Sequence, residues 1–88
     1  MQEGKKHSVC AVVVTYNRLE LLKHCVEALR AQSAGCDILI VDNASTDGTA
    51  QWAAGQQDCR YRNTGSNLGG AGGFNRGMRW AVEAGYAF

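Results

Sequence analysis

The sequence predicts an α/β domain: a parallel sheet with helices on both faces, a three-layer α/β/α arrangement. Three observations carry this. Residues 9–14 and residues 38–41 are short, continuously apolar runs, and each gives way abruptly to polar residues. Such runs, rich in valine, isoleucine and leucine, suit strands covered on both faces. Segments of helical period follow each run. Parallel strands need crossover connections, and right-handed crossovers set the helices on the sheet faces.

The first strand is expected over residues 8–15. It ends in Tyr16, Asn17 and Arg18, all able to hydrogen-bond. A helix over 18–32 comes next. Leu21, Leu22, Cys25, Val26 and Leu29 form one apolar stripe, with Glu20, Lys23, Glu27 and Arg30 opposite. Asn17 is the expected N-cap and Gly35 the exit. His24 falls beside the stripe and reads as a packed or solvent-exposed residue rather than a catalytic one.

The second strand spans 37–41. Residues 43–48 carry turn chemistry. Ser45 or Thr46 should cap a short helix over 47–54, with Asp47 in its first turn and Trp52 and Ala53 on its apolar face. A loop over 55–58 leads to a third strand at 59–62, brief and polar. Seven of the eleven glycines then lie between Gly65 and Gly85. Helical period returns at about residue 72, with Phe74, Gly77, Met78, Ala81, Val82 and Gly85 on one face and Gly85 as the terminator. Residues 86–88 read as the start of another strand.

Composition narrows the function. Eighty-eight residues make one small domain, and 45% hydrophobic with 19% charged residues is ordinary for a globular protein. A net charge of +1 excludes a typical nucleic-acid binder. Lys5 and Lys6 belong to a polar leader, residues 1–8, expected to be disordered. No apolar run approaches the ~20 residues of a membrane span. The expected location is cytoplasmic, with the inner face of the membrane open to a full-length enzyme. The four cysteines (Cys10, Cys25, Cys36, Cys59) lack metal-finger spacing and read as reduced, small hydrophobes.

Three groups invite a functional reading. Asp42 ends a buried strand, and open parallel sheets bind ligands just outside their strands' carboxyl ends. Turn and cap chemistry accounts for Asp47 but less well for Asp42. The glycine run 69–73 can bring backbone N–H groups close to a phosphate, or can simply allow a helix to pack closely. Neither G-x-x-x-x-G-K-[ST] nor G-x-G-x-x-G fits it. Tyr16 could stack on a base, while Asn17 is explained equally by helix capping.

Taken together, these pieces are more specific. The segments VVVTYNR (12–18), IVDNASTDGT (40–49) and NLGGAGGFNRG (67–77) resemble the N-terminal half of the family 2 glycosyltransferases, which have the GT-A fold. The glycine-rich third segment is most similar to the rhamnosyl- and galactofuranosyl-transferase branch. The resemblance covers residues 9–88. It implies a Rossmann-like half-domain that binds the nucleotide of a UDP- or dTDP-sugar. Thr15, Tyr16 and Asn17 would line the nucleoside pocket, and Asp42 would hydrogen-bond a pyrimidine base. Asn67, Gly69, Gly70, Gly72, Gly73 and Asn75 would run beside ribose and diphosphate, with Arg76 near phosphate.

The resemblance also implies what this chain should lack. The family's Asp-x-Asp motif and catalytic base belong to later segments, so no catalytic or metal-binding residue is assigned here. Mg²⁺ or Mn²⁺ is expected for the full-length enzyme and not for this fragment alone. A glycan or lipid-linked acceptor likewise belongs to the full-length enzyme. The expectation is a truncated transferase without activity of its own. The alternatives are a non-catalytic nucleotide-binding module, a Rossmann-type oxidoreductase domain and a non-functional remnant.

Overall fold

A computed structural model of the chain describes residues 9–32 and 36–86. The elements alternate: β1 (Val9–Thr15), α1 (Leu19–Gln32), β2 (Cys36–Asp42), α2 (Thr49–Ala54), β3 (Cys59–Asn63) and α3 (Gly69–Glu83). The three strands form one parallel sheet in the order β1-β2-β3. Thr15 pairs with Asp42, and Asp42 with Asn63, so the three carboxyl ends finish level. The predicted leader, the Gly35 exit, and residues 87 and 88 of the predicted fourth strand lie outside the described residues.

The layers follow from side-chain alternation. Ile38 and Ile40 of β2 point to one face, where they pack with Leu22 and Val26 of α1 and Ala53 of α2. Val13, Trp52, Cys59 and Tyr61 border this cluster. Val12, Val14 and Val41 point to the other face and meet α3. β2 is central and almost wholly buried, which is why its sequence shows no alternation.

α3 approaches the sheet closely. A Cβ added at Gly77 would lie 2.6 Å from Val12 Cγ1 and 2.7 Å from Val41 Cγ2. One at Gly73 would lie 2.7 Å from Val14 Cγ1 and 2.9 Å from Asn43 Nδ2. Gly73, Gly77 and Ala81, spaced by four, are therefore the inward stripe. The predicted face was rotated from this one: Phe74 and Val82 are exposed. A periodicity scan weights large residues, whereas a helix seated this close admits only small ones. The helix also begins at Gly69, three residues earlier than the glycine content suggested.

The end of α3 agrees with expectation. Gly85 has φ +105°, its N–H donates to Val82 O, and the Tyr86 N–H donates to Ala81 O. This paired closure places glycine in a left-handed conformation just past the helix. The Tyr86 hydroxyl donates to the buried Asp37 carboxylate at the opposite, amino-terminal end of β2.

α1 differs from its predicted stripe. Leu22 and Val26 are buried, but Leu21 and Cys25 are exposed. All four cysteines are free, with Cys10, Cys36 and Cys59 half-buried. Asn17 does not cap the helix. Its φ is +50°, and Asp47 Oδ2 accepts the Leu19 N–H instead, at 3.1 Å. Neither Ser45 nor Thr46 caps α2, which starts from Gly48 at φ +91°. Both instead bond to Asn17, tying the loop after β2 to the exit of β1.

Alkaline pH should weaken this fold. Burial, then the hydrogen bond to Asp42, pushes the Tyr61 hydroxyl up to about 12. Burial, then Asp37, pushes Tyr86 up as well. A folded-state pKa above the unfolded value stabilises fully below about pH 10 and less as pH rises through it. Thermal melts should be flat near neutrality and fall above about pH 10. Tyr61→Phe should make that alkaline decline shallower.

Candidate nucleotide site

The strand ends carry a hydrogen-bonded platform built from three loops. Asp42, the last residue of β2, has no exposed surface. Its Oδ1 accepts the Ser45 N–H at 2.9 Å and its Oδ2 accepts the Tyr61 hydroxyl at 2.6 Å. Its backbone carbonyl accepts the Thr64 N–H at 2.9 Å. One residue thus ties the loop after β2 to the body and exit of β3. A buried carboxylate needs such partners, because leaving it unsatisfied costs about 1–3 kcal/mol or more.

The β1 exit is joined to the same loop. The Asn17 N–H donates to Ser45 Oγ at 2.8 Å, and Asn17 Oδ1 accepts the Thr46 N–H at 2.7 Å. Asn17 can do this because its left-handed backbone turns the chain back toward β2; asparagine tolerates that region better than most residues. Asp47 then reaches α1 through Leu19, and its other oxygen accepts the Thr49 hydroxyl. The Thr49 hydroxyl, first among its partners, holds the Asp47 carboxyl below its ordinary range. Asp47 therefore starts two helices, not only the one expected.

Asn43 makes the third link. It is 1% exposed; its N–H donates to Thr15 O, and its Nδ2 donates to Gly69 O at 3.0 Å. Its Oδ1 accepts the Thr64 hydroxyl at 3.0 Å. Asn67 Oδ1 accepts the Gly69 N–H at 3.0 Å. These bonds fix the start of α3 over the ends of β1 and β2.

A cleft of about 290 Å³ opens beside this platform. Val13, Val14, Thr15, Tyr16 and Arg18 line it from the β1 side, and Leu21, Leu22 and Cys25 from α1. Asn43, Asn67, Gly69 and Gly70 close it. The walls are mainly apolar with a few polar groups at one end, as in sites for small molecules. The exposed Leu21 and Cys25 are part of this wall.

Five predicted site residues meet here: Thr15, Tyr16, Asn67, Gly69 and Gly70. Asn17 and Asp42 lie in the platform rather than on the cleft wall. The glycine run divides into two kinds. Gly69 (φ +75°) and Gly70 have nothing within 4 Å of an added Cβ and face open space. Gly73 is a packing residue, and a Cβ at Gly72 would fall 2.9 Å from Leu68 Cβ. Asn75 is exposed on α3. Arg76 lies over the Trp80 ring at 5.7 Å, and Arg62 of β3 lies over the same ring at 5.4 Å. Gly70→Ala should leave the melting temperature unchanged or slightly raised, since alanine favours helix by ~1 kcal/mol.

Asn43, Ser45, Tyr61 and Thr64 were not singled out from the sequence. Turn propensity already explained the first two. Tyr61 sits in a strand too polar to stand out. Its signal is positional: it pairs with Ile40 and so shares a face with Asp42.

The fit of a divalent metal can be judged from the donors. Among the described residues, no group of three or more His, Cys, Asp or Glu side chains could hold one. Asp42 and Asp47 are committed to the bonds above. These residues do not form a metal centre.

A cleft at the carboxyl ends of a parallel sheet lies where open α/β sheets bind their ligands. Comparison with known proteins narrows the class. The family model "Glycosyl transferase family 2" matches residues 10–86. The chain belongs to glycosyltransferase family 2. It is 38% identical to the undecaprenyl-phosphate mannosyltransferase of Micrococcus luteus over 88 residues, covering 89% of this chain and 34% of that protein. It is 40% identical to the galactofuranosyltransferase GlfT1 of Mycolicibacterium smegmatis over 79 residues, covering 88% of this chain and 26% of that protein. The chain thus spans about a quarter to a third of the length of these relatives.

The fold is likewise similar to a solved structure, the Pyrobaculum calidifontis mannosyltransferase PcManGT in complex with GDP-Man and Mn²⁺. The TM-score is 0.65 at 23% identity, over 91% of this chain and 27% of that one. The architecture is that of the GT-A glycosyltransferases. No helix among the described residues is long and apolar enough to cross a membrane.

Proposed function

We propose that the chain is the donor-nucleotide part of a family 2 glycosyltransferase and binds a UDP- or dTDP-sugar at the strand carboxyl ends. The observation that supports this reading is the cleft at the strand ends where Thr15, Tyr16, Asn67, Gly69 and Gly70 converge. Tyr16, 44% exposed, offers a ring to the nucleoside. Asp42 offers a carboxylate to the imide of a pyrimidine. Gly70 and Ala71 carry first-turn N–H groups of α3 that a helix cannot satisfy internally, and these suit the diphosphate. The Gly69 N–H is already held by Asn67.

Gly72 and Gly73 then act by seating α3 and its loop, and Asn17 by shaping the β1 exit, while Asn75 stands exposed on α3. Arg76, stacked on Trp80, reaches phosphate only if its side chain swings back along α3. The complete enzyme transfers the sugar to a glycan or lipid-linked acceptor, whose hydroxyl attacks the anomeric carbon with inversion. A divalent metal bound by residues outside this chain would neutralise the leaving diphosphate. The names of the relatives, two sugar transferases, support sugar transfer and leave the sugar open.

The 88 residues alone should bind UDP and transfer nothing. Calorimetric titration with UDP tests the first statement. A transfer assay with pooled sugar nucleotides and Mg²⁺ or Mn²⁺ tests the second. Sustained turnover would mean that catalytic groups lie within residues 9–86.

A further inference from the structure

The Asp42 carboxylate is wholly enclosed, yet the proposed function asks it to meet a base. Something must give way. Its two oxygens are held differently. Oδ1 accepts a backbone N–H, that of Ser45, inside a loop further tied by Asn17 to β1. Releasing it would unwind the connection between strands. Oδ2 accepts only a side-chain hydroxyl, that of Tyr61, which also accepts from Asn63 Nδ2 at 3.2 Å. Tyr61 is half-buried at the rim of the core and Asn63 is exposed. A tyrosine side chain turns about two bonds without disturbing the strand.

We infer that the Tyr61 hydroxyl is a displaceable stand-in for the base: it occupies Asp42 Oδ2 in the free protein and yields that oxygen to the nucleotide. This rests on the reading that Asp42 binds the base. Once released, Oδ2 can accept the single ring N–H that uracil and thymine present between two carbonyls. Tyr61 thereby controls whether a base can reach Asp42. It also keeps the carboxylate satisfied when no nucleotide is present.

The sign of one substitution follows. Tyr61→Phe removes the competitor, so it should tighten UDP binding, by roughly three- to tenfold for a hydrogen bond of ordinary net worth. The same variant should melt lower without ligand and gain more on adding UDP. A purely structural tyrosine would lower the melt and leave affinity equal or weaker. Titrations with UDP on the full chain, Tyr61→Phe and Asp42→Asn separate the cases. Tighter UDP binding in Tyr61→Phe, with binding lost in Asp42→Asn, supports the inference. Equal or weaker UDP binding in Tyr61→Phe, with binding lost in Asp42→Asn, overturns it and leaves the base reading standing. Unchanged binding in Asp42→Asn, or no UDP binding by the parent, overturns both. Should Tyr61→Phe not fold, fluorotyrosine placed at residue 61 of the parent gives the answer by fluorine NMR. A resonance that moves on saturation with UDP supports displacement, and a resonance that stays still overturns it.

Discussion

Gly77→Val should strongly destabilise the chain. The added Cβ would stand 2.6 Å from Val12 Cγ1 and 2.7 Å from Val41 Cγ2. Both neighbours are β-branched and held in strands, so neither can swing aside. Overpacking of this kind costs about 1–3 kcal/mol, and two further methyl groups place this change at the upper end or beyond. For a chain of this size about 3 kcal/mol corresponds to a fall of roughly 12–24 °C in melting temperature. The functional consequence is indirect. Lifting α3 off β1 and β2 moves Gly69 and Gly70 away from the strand ends, so UDP affinity should fall with stability. Thermal melts of Gly77→Val beside Gly70→Ala make the comparison. Equal melting temperatures would contradict the packing described for α3.

Asp42→Ala should have the largest effect on ligand binding. It strips partners from the Ser45 N–H and the Tyr61 hydroxyl and loosens the platform that positions the cleft. It also removes the proposed base contact. The loss of a buried or charged hydrogen bond is worth about 1–3 kcal/mol, or roughly a 5- to 150-fold loss of UDP affinity. A folded Asp42→Ala variant with unchanged UDP affinity would sink the assignment of this residue. Melting temperature should fall as well, and circular dichroism establishes that the variant tested is folded.

The legible part of this structure was the part written in large residues. Ile38 to Val41 announce a doubly covered strand, and β2 is the central one. The alternation of strands and helices follows from two such runs and the helical stripe at Leu22, Val26 and Leu29. What the sequence concealed is carried by small or polar residues. Gly73 read as either phosphate cradle or helix packing and Gly77 as one member of a face of larger residues, yet both mark where α3 comes too close to the sheet for a Cβ. Single-sequence periodicity has no way to see that a helix lies close enough to exclude a Cβ. Asn17 and Asp47 have strong local uses as caps, and those uses hid bonds spanning 28 residues or more. Such bonds need the register of β1 against β2, which no local pattern supplies. Leu21 and Cys25 fit the core stripe of α1 by spacing, but they wall the cleft because β1 leaves that side open.

The candidate site was legible in outline for a different reason. A carboxylate at a strand end and glycines at a helix start are positions that parallel sheets use for ligands. Thr15, Tyr16, Asn67, Gly69 and Gly70 do converge. The sequence gives no sign that Asp42 lies behind its neighbours, or that Tyr61 holds it there.

The most direct measurement is the structure of this chain bound to UDP. The uracil imide N–H is expected on Asp42 Oδ2, with the Tyr61 hydroxyl turned away and the diphosphate at the N–H groups of Gly70 and Ala71. A base bound away from Asp42, with the Tyr61–Asp42 bond intact, would contradict that arrangement.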